Sequence, residues 1–163
     1  MKIGIISDTH NNTANLRIAV KRFKKEGIKT VIHCGDLTNP DELEWLEGFQ
    51  VIFTYGNGDY APEEIRHKLV AANPASTAAY KYEGEFDSLF IGVTHGHLDN
   101  FLDEMVHSSK FDFVFRGHSH SRKEETVGRT HVINPGALGG LFREERSFCI
   151  LDVDTRQVEY ILI

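Results

Sequence analysis

Five short apolar runs in this chain each lead to a side chain able to bind a metal, usually beside a glycine. Residues 2–7 (KIGIIS) lead into Asp8-Thr9-His10, and residues 30–34 (TVIHC) into Gly35-Asp36. Residues 50–55 (QVIFTY) lead into Gly56-Asn57, and residues 88–94 (SLFIGVT) into His95-Gly96-His97. Residues 111–115 (FDFVF) lead through Arg116 into Gly117-His118-Ser119-His120. Short runs of this kind suit buried strands. In an open α/β sheet the carboxyl ends of the strands converge on one crevice, where ligands bind. Asp8, His10, Asp36, Asn57, His95, His118 and His120 can therefore meet in space although they are far apart in the sequence.

What lies between the first runs fits that arrangement. Asn11 or Asn12 can cap a helix whose apolar positions are Leu16, Ile18, Ala19, Val20 and Phe23, and Gly27 ends it. Pro40 opens a second helix at a favoured position, and a third runs from Pro62 to about residue 71. Strand and helix alternate, which predicts a parallel sheet with helices packed on it. The second half differs. Residues 79–83 and 88–94 read as paired strands, residues 98–108 as a helix, and 123–127, 130–133, 147–153 and 157–163 as short strands joined partly by hairpin turns. The expected class is α/β, with two packed sheets and helices outside, in one domain spanning residues 1–163.

Composition excludes several function classes. The 163 residues carry 18 Lys and Arg against 24 Asp and Glu, a formal net charge of −6, so no broad cationic face is available for a nucleic-acid backbone. Cys34 and Cys149 sit inside apolar runs and read as reduced core residues. The opening MKIGIISD has too short an apolar run for a secretory leader, and no segment approaches the ~20 apolar residues of a membrane helix. The expected location is the cytoplasm.

Taken singly, Asp8, Asp36 and Asn57 are ordinary turn residues. Taken together, two carboxylates and several imidazoles in one crevice need a compensating charge or extensive hydrogen bonding, and divalent cations supply it. The donors are nitrogen and oxygen without thiolate, which excludes a structural zinc knuckle and suits Mn, Fe, Co, Ni or Zn better than Ca or Mg. Seven ligands exceed what one open catalytic site uses. A carboxylate such as Asp36 could bridge two ions in a two-metal centre.

The ordered set Asp8-x-His10, Gly35-Asp36, Gly56-Asn57, His95-Gly96 and Gly117-His118-Ser119-His120 resembles the calcineurin-like metallophosphoesterases. With Ile133-Asn134-Pro135-Gly136 it is most similar to their small YfcE-type phosphodiesterase subgroup. The resemblance implies a four-layer α/β sandwich of two mixed β-sheets flanked by helices. It implies two divalent ions, manganese first among Mn, Ni, Fe, Co and Zn. Asp8, His10, Asp36 and His120 would hold one, and Asp36, Asn57, His95 and His118 the other, with Asp36 bridging. The activity implied is hydrolysis of phosphodiesters, or of activated phosphomonoesters, by a hydroxide held between the two ions. The partner expected is a small phosphate-ester substrate, with homo-oligomerisation open, and neither a membrane nor nucleic acid in general.

The sequence departs from the family at one place. Many larger members carry a histidine straight after the asparagine of the third block, a proton donor to the leaving group, where this chain has Gly58. His97 is the candidate substitute, against a supporting or surface role. Asn57 and Arg143 are candidates for contacting substrate phosphate, with a solvated loop charge the alternative for Arg143. Arg116 points either into the crevice or away from it. Asp59 reads as a turn or cap leading to the Pro62 helix, and His33 as a core residue. The rival reading is a non-catalytic, Vps29-like interaction scaffold on the same fold. The complete ligand set argues against it.

Overall fold

The computed structural model describes residues 1–141 and 145–163. Its first sheet has the order β11-β10-β1-β2-β3-β4, from Gln157–Leu162 (β11), Ser147–Asp152 (β10), Lys2–Ile6 (β1), Thr30–His33 (β2), Gln50–Thr54 (β3) and Thr77–Ala79 (β4). Strands β1 to β4 run parallel, and β10 and β11 add antiparallel. The second sheet has the order β5-β6-β7-β9-β8, from Lys81–Phe86 (β5), Leu89–Thr94 (β6), Phe113–Phe115 (β7), Thr130–Asn134 (β9) and Lys123–Val127 (β8). Here β6, β7 and β9 are parallel, and β5 and β8 are antiparallel edges.

Strand periodicity explains the layers. In β1, Ile3 and Ile5 face one way and join Ile32, Ile52, Ile91, Val93, Phe113, Phe115, Cys149 and Leu151 in a buried cluster between the sheets. Ile6 faces the other way, with Val31, Val51 and Phe53, and meets helices α1 (Thr13–Lys25) and α2 (Pro62–Ala72) through Leu16, Val20, Phe23, Ile65 and Leu69. Helix α3 (Asp99–His107) covers the far side of the second sheet, where Met105 and Val106 pack on Phe111, Val114 and Val132. Two sheets with helices outside give the four-layer sandwich. Cys34 and Cys149 are buried free thiols. No helix among the described residues is long and apolar enough to cross a membrane.

Some local expectations change. Asn12 is the cap of α1, its side chain accepting from Asn15 N–H at 3.1 Å. Ile18 is not on the buried face of α1 and is 47% exposed. Residues Pro40–Leu46 form a 3₁₀ segment and not an α-helix. Proline does sit at the start, but the segment is only seven residues long and closes with an i→i+3 bond from Glu47 N–H to Glu44. The parallel edge strand β4 carries no signal in three residues of Thr and Ala.

Candidate metal centre

The loops after β1, β2, β3, β6 and β7 meet at one end of the two sheets. The first two are zipped together: Asp8 N–H donates to Gly35 O at 2.9 Å and His10 N–H to Asp36 O at 3.0 Å. Gly117 N–H donates to His95 O at 3.0 Å, joining the two loops of the second sheet. The sheets are linked by Asp8, whose Oδ2 accepts from Ser7 Oγ at 2.6 Å and from His118 N–H at 3.1 Å. Gly35 is required where these loops cross. Its φ is +97°, and a Cβ would lie 2.6 Å from Thr54 O and 2.8 Å from His95 Nδ1.

Of the seven residues picked out in the sequence, Asp8, His10, Asp36, His118 and His120 have positive φ, between 44° and 68°. Asp and His visit this region more readily than most residues, yet each instance stores strain. Such clustering marks a site whose backbone is held for a purpose beyond folding.

Asp8, His10, Asp36 and His120 bring one ligand atom each to within 4.8 Å of one another. His10 Nε2 and His120 Nε2 lie 3.1 Å apart, and Asp8 Oδ1 is 3.3 Å from His120 Nε2. Asp36 Oδ2 is 3.5 Å from both His10 Nε2 and His95 Nε2. His95 is fully buried, and its ring lies 5.1 Å from that of His118. His118 and Asn57 are exposed at the rim, Asn57 on the turn after Gly56. The structure thus gathers four of the seven tightly, adds His95 through Asp36 and His118 through His95, and leaves Asn57 at the edge.

The electrostatics favour a cation. His95 Nδ1 faces Cys34 O at 2.7 Å and must donate there, so its Nε2 turns toward the Asp36 carboxylate. In a neutral ring that nitrogen carries a lone pair, and a lone pair facing a carboxylate is repulsive unless positive charge lies between them. Among the described residues, buried Asp8 Oδ1 and His95 Nε2 have no hydrogen-bond partner. Burial opposes charge on His95, but Asp36 and Asp8 outweigh it and raise the imidazole pKa. Burial likewise opposes charge on Asp36, but the His95 contact and Gly58 N–H overcome it and lower its pKa to about 2. Orphaned donor atoms, nitrogen and oxygen ligands and a pull toward positive charge all fit divalent ions.

The sequence model of the calcineurin-like phosphoesterase superfamily domain matches residues 1–156. The chain belongs to that superfamily. Phosphodiesterase MJ0936 of Methanocaldococcus jannaschii is 34% identical over 165 residues, covering 100% of this chain and 99% of its own. A solved archaeal phosphodiesterase superposes with a TM-score of 0.94 at 34% identity, with all of both chains covered. The E. coli phosphoesterase Yfce, at 18% identity and a TM-score of 0.70 over all of both chains, shares the fold.

As a calcineurin-like phosphoesterase domain, the chain carries supporting residues whose part the local sequence does not disclose. Asp59 is not a simple turn residue. Its carboxylate accepts from the N–H groups of Asp36 (2.9 Å), Leu37 (2.9 Å), Thr38 (3.1 Å) and Gly56 (2.8 Å). His33 is a core residue that also ties two ligand loops together. Its Nδ1 accepts from Gly35 N–H at 3.1 Å, which leaves Nε2–H to donate to Thr9 Oγ1 at 2.9 Å. Asn134 donates to Gly117 O at 2.9 Å and accepts from Gly136 N–H at 2.9 Å, so the Ile133-Asn134-Pro135-Gly136 stretch props the histidine loop. His97 stands 5.4 Å from His95 and 6.3 Å from His118, ring to ring. Burial and these two imidazoles lower its pKa. Arg116 lines a cavity with Asp99, Asp103 and Glu125. Arg143 lies outside the described residues.

Proposed function

We propose that residues 1–163 act as one metallophosphoesterase domain that hydrolyses phosphodiesters with two divalent ions, manganese foremost. The observation that carries this reading is the cluster of Asp8, His10, Asp36 and His120, with ligand atoms within 4.8 Å. The likeness to a protein named a phosphodiesterase over the full chain supports the substrate class. Asp8, His10, Asp36 and His120 would hold one ion, and Asp36, Asn57, His95 and His118 the other. The equal 3.5 Å separations of Asp36 Oδ2 from His10 and His95 support Asp36 as the bridge. When bound, such a pair lowers the pKa of water toward neutrality and offsets charge on the phosphoryl oxygens.

The chain's own residues prepare that chemistry. Asp8 and Asp36 supply buried carboxylates of fixed orientation, and the Cys34 carbonyl fixes His95 as the Nδ1–H tautomer that presents Nε2. Asn57, exposed at the rim, can donate to a substrate phosphoryl oxygen. No side-chain nucleophile is needed, because water attacks phosphorus in line with the departing ester oxygen. The leaving oxygen lacks a donor from position 58, where a Cβ would sit 3.1 Å from Asp36 Oδ1 and 3.2 Å from Thr38 Cγ2. His97, with its ring 5.4 Å from that of His95, would deliver the proton in its stead.

The test compares an aryl phosphodiester with an alkyl phosphomonoester on manganese-loaded protein. Diester hydrolysis is expected, lost on chelation and restored by Mn, with Asp36→Ala inactive and alkyl monoesters poor substrates. His97→Ala should slow esters with poor leaving groups by about 10²–10⁴-fold and spare those that leave unaided. Absence of diester hydrolysis with every metal of the Mn, Ni, Fe, Co and Zn set would overturn the reading.

A further inference from the structure

The most exposed large apolar side chain among the described residues is Leu141, at 97%. It lines a cavity of about 380 Å³ together with His10, Thr38, His120 and Gly140. His10 and His120 belong to the four-residue cluster, so the cavity opens directly off the metal centre.

The backbone leading to Leu141 is fixed. Gly139 N–H donates to Asp8 O at 2.8 Å. The Arg146 guanidinium donates to Gly139 O and, from Nη2 at 3.0 Å, to Gly140 O. Gly140, with φ +110°, lies flat against His120: a Cβ there would begin 2.9 Å from His120 Cε1. Carbonyl anchors and this close approach together hold the chain at the mouth of the centre, beside His120. A leucine in water gains nothing from the hydrophobic effect, whereas the same leucine covered by an apolar ligand group favours binding.

We propose that Leu141, Thr38 and the ring edges of His10 and His120 form a subsite for one ester group of the substrate, and that the group is aromatic. The inference rests on the phosphodiesterase reading above. Three features select this occupant. Leu141 offers an apolar wall, which a charged or sugar hydroxyl surface would not reward. The imidazoles of His10 and His120 share the lining and suit contact with a planar ring. The volume falls at the small end of ligand pockets, enough for one ring system with its linkage and too little for a polymer. The site thereby selects among diesters by a contact remote from the bond that breaks.

Calorimetry on the manganese-loaded protein tests this with diphenylphosphinate, whose carbon–phosphorus bonds are not hydrolysed, and dimethylphosphinate as the probe without a ring. Leu141→Ser should weaken diphenylphosphinate on the order of tenfold, equivalent to about 1.4 kcal/mol, and leave dimethylphosphinate unchanged. Leu141→Met should keep most of the affinity. The position is exposed, so neither variant disturbs the core. Equal loss for both phosphinates, or no loss for either, would overturn the subsite. Failure of the wild type to hydrolyse any diester is a separate result, which would remove the phosphodiesterase reading and the subsite with it.

Discussion

Asp59 gathers four backbone N–H groups onto one carboxylate, three of them from the consecutive residues Asp36, Leu37 and Thr38. That grip sets the left-handed backbone at Asp36, and with it the direction of its carboxylate. Asp59→Asn would turn an NH₂ group toward N–H donors and leave two of them unpaired. The expected result is metal affinity lower by roughly 10–100-fold, read by titration calorimetry on a folded variant. Unchanged affinity would show that Asp36 holds its orientation unaided. His33 makes the other tie between ligand loops, and burial lowers its pKa to about 3. The folded value lies below the unfolded value near 6.5, so the unfolded chain takes up a proton that the folded chain refuses. The stability this represents is complete above about pH 6.5 and falls as pH drops toward 3, by about 1.4 kcal/mol per pH unit. In chelated protein between pH 6 and 4.5, wild-type unfolding free energy should therefore fall more steeply than that of His33→Gln by about that amount, and parallel slopes would refute it. The gathering of Asp8, His10, Asp36 and His120 was legible in the sequence, because each directly follows its apolar run or lies within a few residues of it. Asp59 and His33 were not, because what matters is a hydrogen bond to a loop 23 residues away or to a threonine on a neighbouring loop, and local spacing is silent about both.

At the scale of elements, the helix and sheet layers close on each other through a glycine in each sheet. In β1, a Cβ on Gly4 would meet the Phe23 ring of α1 at 2.6–2.8 Å. In β6, Gly92 stands opposite Phe111, which lies between α3 and β7 and packs with Met105 and Val106 of α3, at 3.1–3.4 Å. Phe23 is itself fixed edge-on between Phe49 and Phe148, so it has nowhere to retreat. Gly4→Ala should then force α1 off the sheet and destabilise the fold by about 1–3 kcal/mol, the usual range for overpacking, measured by denaturant unfolding. The double variant Gly4→Ala with Phe23→Leu should recover part of that loss, and a neutral Gly4→Ala would show that the layer yields freely. The strand alternation and the apolar stripe of α1 were readable because burial imposes a period on several successive residues. The short pieces were less so. Three residues of β4 carry no period, and nothing in residues 40–46 distinguishes a tight helix from an α-helix, since the difference lies in how the segment fits beneath α1 and α2.

At the scale of the whole molecule, the ligand set is divided between the sheets. Asp8, His10, Asp36 and Asn57 hang from β1, β2 and β3, and His95, His118 and His120 from β6 and β7. The order of the five blocks announces a shared crevice. It does not announce that the crevice is shared by two sheets, because strand pairing is a long-range choice. Strand β10 crosses back beside β1 after a chain separation that no local pattern encodes. Between the sheets lies the apolar cluster around Ile3, Ile5, Phe113 and Phe115, with the Asp8–His118 hydrogen bond joining them at the crevice end. Ions at the crevice would therefore fasten one sheet to the other, and opening the sandwich would have to release them. A ligand present at a hundred times its dissociation constant, and binding only the folded state, adds about 2.7 kcal/mol of stability. For a chain of this size that corresponds to a rise of roughly 5–11 °C in the unfolding temperature. Manganese added to chelator-treated protein should produce a rise of that order by calorimetry, and chelation should reverse it. Asp36→Asn removes the carboxylate that faces histidines from both sheets, so its unfolding temperature should barely respond to the same addition. A similar rise in wild type and Asp36→Asn would mean that the ion binds elsewhere and does not fasten the two sheets.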